Sequence, residues 1–279
     1  MSQAGLHAEQ IAFWDGPGGE HWVAEQARME PALAPVGEAV LAHAAARLGE
    51  SVLDVGCGYG VTALRLAEAV GPAGRVIGLD VSAPMLELAR KRAGGIGNVE
   101  WVKDDATTHD FAPASIDLVF SRFGVMFFGD PVAAFANLRR AMRPSGRLVF
   151  ACWRAIEENP WIAVPARAVA AHVTIPPRPG PEDPGMLSFA DPARVTRILT
   201  AAGFAAPRFT KFDIRMVIGK GLDDATQQAL SMRPVRQALD TQPEPVRAAA
   251  ATSVRAALAP YAAGNIVSLP GAVWLVDAV

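Results

Sequence analysis

Apolar and polar positions alternate in a regular way through the first half of the chain. Between residues 51 and 153, short apolar runs alternate with longer segments whose apolar residues recur at helical spacing. The runs predict five strands, and the longer segments predict the helices that connect them. The strands lie at 51–55, 75–80, 99–103, 116–120 and 147–153, and the helices lie at 61–70, 82–93 and 131–142.

Strands that are separated by helices are typical of βαβ units, in which helices cover both faces of a parallel sheet. Residues 49–153 are therefore predicted to form the core of a doubly wound α/β fold. The segment 1–48 precedes this core. It predicts a partly ordered N-terminal arm and then a helix over 31–48, which Pro31 opens.

The regular pattern stops after Trp153. Residues 154–190 and 222–262 are predicted to be insertions, the first proline-rich and the second helical, and we expect them to form a lid over a substrate. The remaining predicted elements are a helix over 191–202 and strands over 207–218 and 272–279. No crossover pattern joins these last two strands, so we expect them to pair antiparallel. They would complete a mostly parallel, seven-stranded sheet within a single domain, 1–279.

Composition narrows the classes of function. The chain has 279 residues, a net charge of −2 and 51% hydrophobic residues, so it has ample material for a core and no basic footprint for nucleic acid. We see no signal peptide and no apolar run of membrane-spanning length, and we therefore expect a cytoplasmic protein without membrane contact. Cys57 and Cys152 are far apart and show neither metal-ligand nor disulfide spacing, so we expect no metal.

The most informative segment is a glycine turn between the first strand and its helix. Gly56, Gly58 and Gly60 allow the backbone to turn sharply and to approach a ligand closely. Asp54 precedes them, and a carboxylate there opposes the pyrophosphate that dinucleotide folds bind at this helix. Val61 also occupies the position of the third glycine in the dinucleotide pattern. A nicotinamide oxidoreductase is therefore disfavoured, and a cationic ligand such as S-adenosylmethionine fits better.

Polar residues follow the next strands in the order that such a ligand needs. Asp80 lies 20 residues after Gly60, at a position where a carboxylate accepts hydrogen bonds from ribose hydroxyls. Asp105 follows the third strand, where a carboxylate can accept a hydrogen bond from the adenine amino group. Ser121 follows the fourth strand, close to the expected position of the methionine part. Met85 is expected to pack on the adenine face. Ligands of open α/β sheets lie beyond the carboxyl ends of the strands, so these side chains should converge.

These segments resemble class I S-adenosylmethionine-dependent methyltransferases, in particular a bacterial small-molecule branch related to ubiquinone and menaquinone biosynthesis. The resemblance covers about residues 10–155 and rests on 52–60, 78–80, 82–86, 105–106 and 142–146. It implies a Rossmann-like methyltransferase fold with S-adenosyl-L-methionine as cofactor and S-adenosyl-L-homocysteine as product. Ser145 departs from the family pattern, which has a second glycine there, and serine also suits a turn.

The resemblance also implies roles for individual residues. Trp14 and Trp22 look like parts of an arm that folds over the cofactor. Together with the positions at the strand ends, it gives the predicted cofactor-binding residues Trp14, Trp22, Asp54, Gly56, Gly58, Asp80, Val81, Met85, Asp105, Ala106 and Ser121.

The methyl acceptor is less well defined. His21 on the arm is the best candidate for a base, although a structural role is an open alternative, and His7 is expected in a frayed terminus. Arg122 either orients an acidic substrate or pairs with a core carboxylate. The predicted substrate-binding residues are Phe123, Met126, Phe127, Trp161, His172 and Phe189. Their density favours a small, apolar or aromatic acceptor in a closed pocket.

Two questions stay open at this point. Residues 222–262 either add a wall to the pocket or form an oligomer interface, which leaves room for a homodimer. A catalytically silent protein that binds S-adenosylmethionine in a regulatory or scaffold role would show the same cofactor residues.

Overall fold

The computed structural model describes residues 3–176, 180, 182–205 and 207–279. The chain divides into two compact units. The first consists of 1–153, 180–212 and 273–279, and the second of 154–179 and 213–272.

A mostly parallel sheet carries the fold, as the sequence predicted. Its order is β3-β2-β1-β4-β5-β8-β6, with β7 paired to β8. The strands from β3 to β5 in this order pair parallel, and β8 pairs antiparallel with β5. The strands are β1 Ser51–Val55, β2 Arg75–Asp80, β3 Val99–Lys103, β4 Ile116–Arg122, β5 Met142–Trp153, β6 Arg208–Gly219, β7 Ala262–Ala263 and β8 Ile266–Ala278.

The helices of the first unit begin at residues that suit helix starts. Ser82 and Asp130 accept hydrogen bonds from backbone N–H groups in the first turns of α5 and α6, and both helices have proline in their first turn. The helices of this unit are α1 Gln3–Trp14, α2 Pro17–Ala24, α3 Gln26–Ala44, α4 Val61–Val70, α5 Ala83–Ala93, α6 Pro131–Ala141 and α8 Pro192–Ala201.

The central strands form the core of the first unit. Val52, Leu53 and Phe120 on β1 and β4 are fully buried, as expected for parallel strands covered on both faces. Aromatic rings extend this core beside β5, where Phe135 lies 5.9 Å from Phe150 between ring centroids. The candidate site lies at the carboxyl ends of these buried strands.

The second unit is mainly helical and has its own buried cluster. Its helices are α7 Pro160–Ala170, α9 Gly221–Ser231, α10 Arg233–Leu239 and α11 Glu244–Leu258. Val169, Val254 and Leu258 are completely buried in this cluster together with Leu269 on β8. None of the helices that the structure describes is both long enough and apolar enough to cross a membrane.

Some boundaries differ from the predicted ones: β5 begins earlier, at Met142, β8 begins earlier, at Ile266, and the N-terminal segment is ordered. The arm predicted to be partly ordered forms α1 and α2, and α3 begins at Gln26 and continues through Pro31 and Pro35. Tertiary contacts explain the order. Asp15 accepts hydrogen bonds from the Ala83 N–H at 2.8 Å and from the Lys103 ammonium at 2.7 Å. These contacts join residues more than 60 positions apart, which a local pattern does not reveal.

Candidate functional site

The glycine turn after β1 is a tight backbone cradle. Gly56, Gly58 and Gly60 have φ values of +66°, +54° and +85°, in the left-handed region that favours glycine. A Cβ atom on Gly56 would lie 2.7 Å from the Gly124 Cα atom. The loops after β1 and β4 therefore approach each other at backbone distance, and only glycine fits there.

Asp80 at the end of β2 holds this turn in shape. Its Oδ2 accepts a hydrogen bond from the Gly58 N–H at 2.7 Å, and its Oδ1 accepts one from the Ser82 N–H at 2.9 Å. Burial raises the pKa of Asp80, while hydrogen bonds from Ser82, Gly58 and Val81 act in the opposite direction. A carboxylate oxygen has two lone pairs, so both oxygens retain capacity for a ligand hydroxyl.

Asp54 at the end of β1 is fully buried and only half satisfied. Its Oδ2 accepts a hydrogen bond from the Thr62 hydroxyl at 2.7 Å, whereas its Oδ1 has no hydrogen-bond partner among the described residues. Burial raises the pKa of Asp54 to about 7, against the opposing influence of Thr62 and of the Arg122 charge. A buried acceptor without a partner is costly, and it is one mark of a ligand-binding position.

A cavity of about 160 Å³ lies at these strand ends. Aromatic and aliphatic side chains make up much of its wall, and a few polar groups stand among them, as in many small-molecule sites. The lining residues are His7, Gln10, Ile11, Trp14, Trp22, Leu33, Val55, Gly56, Cys57, Gly58, Tyr59, Thr62, Leu79, Asp80, Val81, Met85, Asp104, Asp105, Ala106, Arg122, Phe123, Gly124, Phe127 and Phe128.

Helix α1 contributes a polar pair to this wall. His7 Nε2 lies 2.6 Å from Asp105 Oδ2, and Asp105 Oδ1 accepts a hydrogen bond from the Thr107 N–H. The other ring nitrogen of His7 and the indole nitrogen of Trp14 are buried and have no hydrogen-bond partner within the described part of the chain. Two residues of one helix thus bring unsatisfied polar atoms to the cavity wall.

Phe123 forms part of the wall at the end of β4 in an unusual conformation. Its φ is +69°, which is rare for a bulky residue. Its ring stacks on Trp153 with 4.5 Å between centroids and 7° between planes. Its backbone N–H donates to the Ala151 carbonyl at 3.1 Å. These contacts hold a strained residue in place, as is common at functional sites.

The thiol of Cys57 also lines the cavity. Burial raises the pKa of Cys57 well above its usual range, so the thiol stays protonated at neutral pH and is a poor nucleophile. Within the described residues, no group of three His, Cys, Asp or Glu side chains is placed to hold a metal ion.

The segment that forms the glycine turn and the first strand ends has known relatives. Residues 52–146 match the family model described as "Methyltransferase domain". This segment is a methyltransferase domain. The resemblance to methyltransferases that the sequence predicted is confirmed for it.

Three curated proteins are similar to part of this chain. An uncharacterized 37.1 kDa protein in transposon Tn4556 of Streptomyces fradiae is 38% identical over 165 residues, which cover 58% of this chain and 45% of that protein. Aklanonic acid methyltransferase DauC of Streptomyces sp. (strain C5) is 37% identical, covering 42% and 54%. Demethylmenaquinone methyltransferase of Staphylococcus aureus (strain JH9) is also 37% identical, covering 37% and 43%. The chain spans about half the length of these curated relatives.

A solved structure supports the fold over a larger part of the chain. A Bacillus halodurans C-125 protein superposes with a TM-score of 0.56 at 18% identity, covering 87% of this chain and 97% of that chain. The predicted Rossmann-like fold is confirmed.

The structure brings many of the predicted site residues of the methyltransferase domain and its arm to the cavity. Their individual roles stay predictions. Those that line it are Trp14, Trp22, Gly56, Gly58, Asp80, Val81, Met85, Asp105, Ala106, Arg122, Phe123 and Phe127. Asp54 does not line the cavity, but its partner Thr62 and its neighbour Val55 do.

Several predicted residues lie elsewhere. The side chain of His21 is exposed, and Ser121 is fully buried, where its hydroxyl donates to the Val55 carbonyl at 2.7 Å. Met126 and Phe189 are buried in the core of the first unit. Trp161 and His172 belong to the second unit, where His172 Nε2 lies 2.7 Å from the Ser253 hydroxyl oxygen.

Other residues of the site escaped prediction. His7 was expected in a frayed terminus, yet it lies on α1 beside Asp105. Tyr59 stands within the glycine turn, and its position between Gly58 and Gly60 was the available signal. Glu30 pairs with Arg122 from 92 residues away, for which the sequence offers no local sign.

Proposed function

We propose that this protein transfers a methyl group from S-adenosylmethionine to a small, apolar or aromatic molecule. The observation that carries the proposal is the cavity beside the glycine turn, with unsatisfied buried polar atoms on His7 and Trp14 in its wall. Two curated relatives are named as methyltransferases of aklanonic acid and of demethylmenaquinone, which supports a small-molecule acceptor.

The residues present suit the cofactor. In the proposal, Asp80 accepts hydrogen bonds from the ribose hydroxyls through its remaining lone pairs, and Asp105 accepts one from the adenine amino group. The glycine turn offers backbone approach without side chains, since Gly56, Gly58 and Gly60 have no Cβ atoms. The unpartnered Oδ1 of Asp54 provides negative charge behind the turn, where a cationic ligand gains from it.

The mechanism that follows relies on alignment and exclusion of water. S-adenosylmethionine supplies an activated methyl group on a sulfonium centre. Trp14 and Phe127 meet edge to face at 4.9 Å between centroids, and Trp22 lines the same cavity. In the proposal, these rings exclude water from the bound cofactor. Phe123, held by its stack on Trp153, offers a fixed ring against which a planar acceptor aligns.

Calorimetry on the full chain tests the cofactor. We expect binding of S-adenosylmethionine and S-adenosylhomocysteine and none of NAD. Binding of NAD without S-adenosylmethionine would overturn the proposal.

An acceptor screen tests the reaction. Thiols, phenols, amines and quinol-like compounds are incubated with the protein and cofactor, and release of S-adenosylhomocysteine is measured. We expect turnover with a planar acceptor and a higher KM for it in Phe123→Leu. Cofactor binding without turnover across all classes would favour the silent regulatory or scaffold protein.

A further inference from the structure

Arg122 and Glu30 form a partly buried ion pair at the cavity wall. Both terminal guanidinium nitrogens of Arg122 donate to Glu30, each at 3.1 Å to a different carboxylate oxygen. The Arg122 side chain is 12% exposed and that of Glu30 is 21% exposed. Glu30 lies on α3 and Arg122 at the end of β4, so the pair joins the helix to the strand end.

The guanidinium has more donors than Glu30 uses. Arginine has five N–H groups in a planar fork, and the two bonds to Glu30 leave three of them. Gly37 leaves space for the guanidinium itself, because a Cβ at that position would lie 3.1 Å from Arg122 Nη1. Arg122 can therefore hold a second anion while Glu30 fixes its orientation.

Tyr59 adds a hydroxyl on the same side of the site. It belongs to the glycine turn, lines the cavity and is buried. Burial and then the negative charge of Glu30 raise the pKa of Tyr59, while the Arg122 charge lowers it. The phenol is thus a neutral hydrogen-bond donor near both members of the ion pair.

The order of the strands indicates which part of a ligand would reach Arg122. The sheet runs β3-β2-β1-β4, and the carboxyl ends of these strands carry, in the same order, Asp105, Asp80, the glycine turn and Arg122. Strands lie about 4.8 Å apart, so the ends of β3 and β4 are about 14 Å apart. S-adenosylmethionine presents adenine, ribose, sulfonium and amino-acid tail in the same sequence.

We propose that Arg122, with the Tyr59 hydroxyl, binds the carboxylate of the cofactor's amino-acid tail, and that Glu30 positions the guanidinium. This rests on the proposed function and replaces the expectation that Arg122 acts on an acidic acceptor. Bidentate arginine pairs are the strongest charge-assisted contacts for carboxylates, which explains arginine rather than lysine at this position.

Three ligands separate the parts of the tail. S-adenosylmethionine has the whole tail, and decarboxylated S-adenosylmethionine lacks only the carboxylate. 5′-Methylthioadenosine is a neutral thioether that lacks the whole tail and the sulfonium charge. Calorimetry gives the Kd of each for the full chain and for the double variant Glu30→Gln with Arg122→Met. The double variant removes both charges together, because a single change would leave a buried charge unpaired.

We expect the double variant to bind S-adenosylmethionine at least tenfold more weakly and to bind the other two ligands within twofold of the wild type. Arg122→Lys keeps the charge without the planar fork and should give an intermediate loss. The matched control is Glu50→Gln with Arg147→Met, which neutralises another bidentate ion pair outside the cavity lining. It should leave all three affinities unchanged.

An equal loss for all three ligands, or an unchanged affinity for S-adenosylmethionine, would overturn the role of Arg122 and leave the proposed function standing. If the wild-type chain bound none of the three, the proposed function itself would fail.

Discussion

Asp54 and Asp80 are buried carboxyl groups at the ends of the paired parallel strands β1 and β2, yet their oxygen atoms have different partners. Both oxygens of Asp80 accept hydrogen bonds from backbone N–H groups of the loops around them. Asp54 has one hydrogen bond, from a side chain, and one oxygen without a partner in the described structure.

The difference indicates that Asp80 holds the loop in shape, whereas Asp54 contributes mainly the negative charge of its carboxylate. Removing Asp80 would disturb the loop as well as any ligand. Removing the charge of Asp54 would leave the loop in place and change only the electrostatic potential at the glycine turn. Variants at the two positions should therefore separate folding from binding.

The largest effect is expected for Asp80→Ala. Two backbone N–H donors, of Gly58 and the buried Ser82, would lose their acceptors at about 1–3 kcal/mol each in the free energy of unfolding. The affinity for S-adenosylhomocysteine should fall at least tenfold as well. Urea denaturation and calorimetry measure the two quantities.

Asp80→Asn is the control for this change, because it keeps one acceptor oxygen and should cost less of both quantities. A folded Asp80→Ala protein with unchanged affinity would contradict the ribose role of Asp80.

The next effect concerns binding of the cation as a function of pH. Asp54 has a pKa of about 7, so its carboxylate form becomes dominant between pH 6 and pH 8. The cationic cofactor favours that form, and its affinity should rise about tenfold over this range. Asp54→Asn should remove most of the rise. Calorimetry at several pH values measures the rise in affinity for both proteins. A rise of equal size in the two would show that Asp54 does not cause it.

The same carboxyl should make stability depend on pH. The pKa of this carboxyl is 3.8 in the unfolded chain and about 7 in the folded protein. Between these pH values the folded protein therefore holds a proton that the unfolded chain has lost. Stability from this group is therefore greatest at low pH and falls as the pH rises towards 7. Relative to Asp54→Asn, the wild type should lose more than about 1 kcal/mol between pH 5 and pH 7. Paired urea denaturation curves show whether the difference has this sign.

The smallest effect is expected at Thr62. Thr62→Val removes the single hydrogen bond of Asp54 and should cost about 1 kcal/mol of unfolding free energy. It should also raise the pKa of Asp54 further, because the lost hydrogen bond favoured the carboxylate. The midpoint of the pH-dependent binding should move to higher pH, whereas Thr62→Ser should leave it in place. An unmoved midpoint in Thr62→Val would show that the hydroxyl has no influence on the carboxyl.

Local patterns accounted for much of the sheet and for the cofactor side of the site. The strands up to β4 and the helices between them depend on short apolar runs and turn residues, and their predicted starts match those observed. Asp80 and Asp105 were found because Asp80 ends one strand and Asp105 lies just after the next, and the carboxyl ends of parallel strands meet at one edge.

Contacts between distant residues could not be predicted in this way. His7 reaches Asp105 across 98 positions, and Ser121 bonds the Val55 carbonyl across 66. The terminus was expected to fray because its own sequence is a weak helix signal, and contacts with later strands stabilise it instead. His21 lies on the same arm, but its side chain is exposed, because the helix face is set by packing that the sequence pattern does not contain.

The backbone contact between Gly56 and Gly124 has a consequence for engineering. A Cβ on either residue would collide with the Cα atom of the other, so neither position tolerates a side chain while the two loops keep their course. The conformations of the glycine-turn loop and of the loop that carries Phe123 therefore depend on each other. A graft intended to change acceptor preference would have to exchange both loops together, with both glycines, rather than the acceptor loop alone.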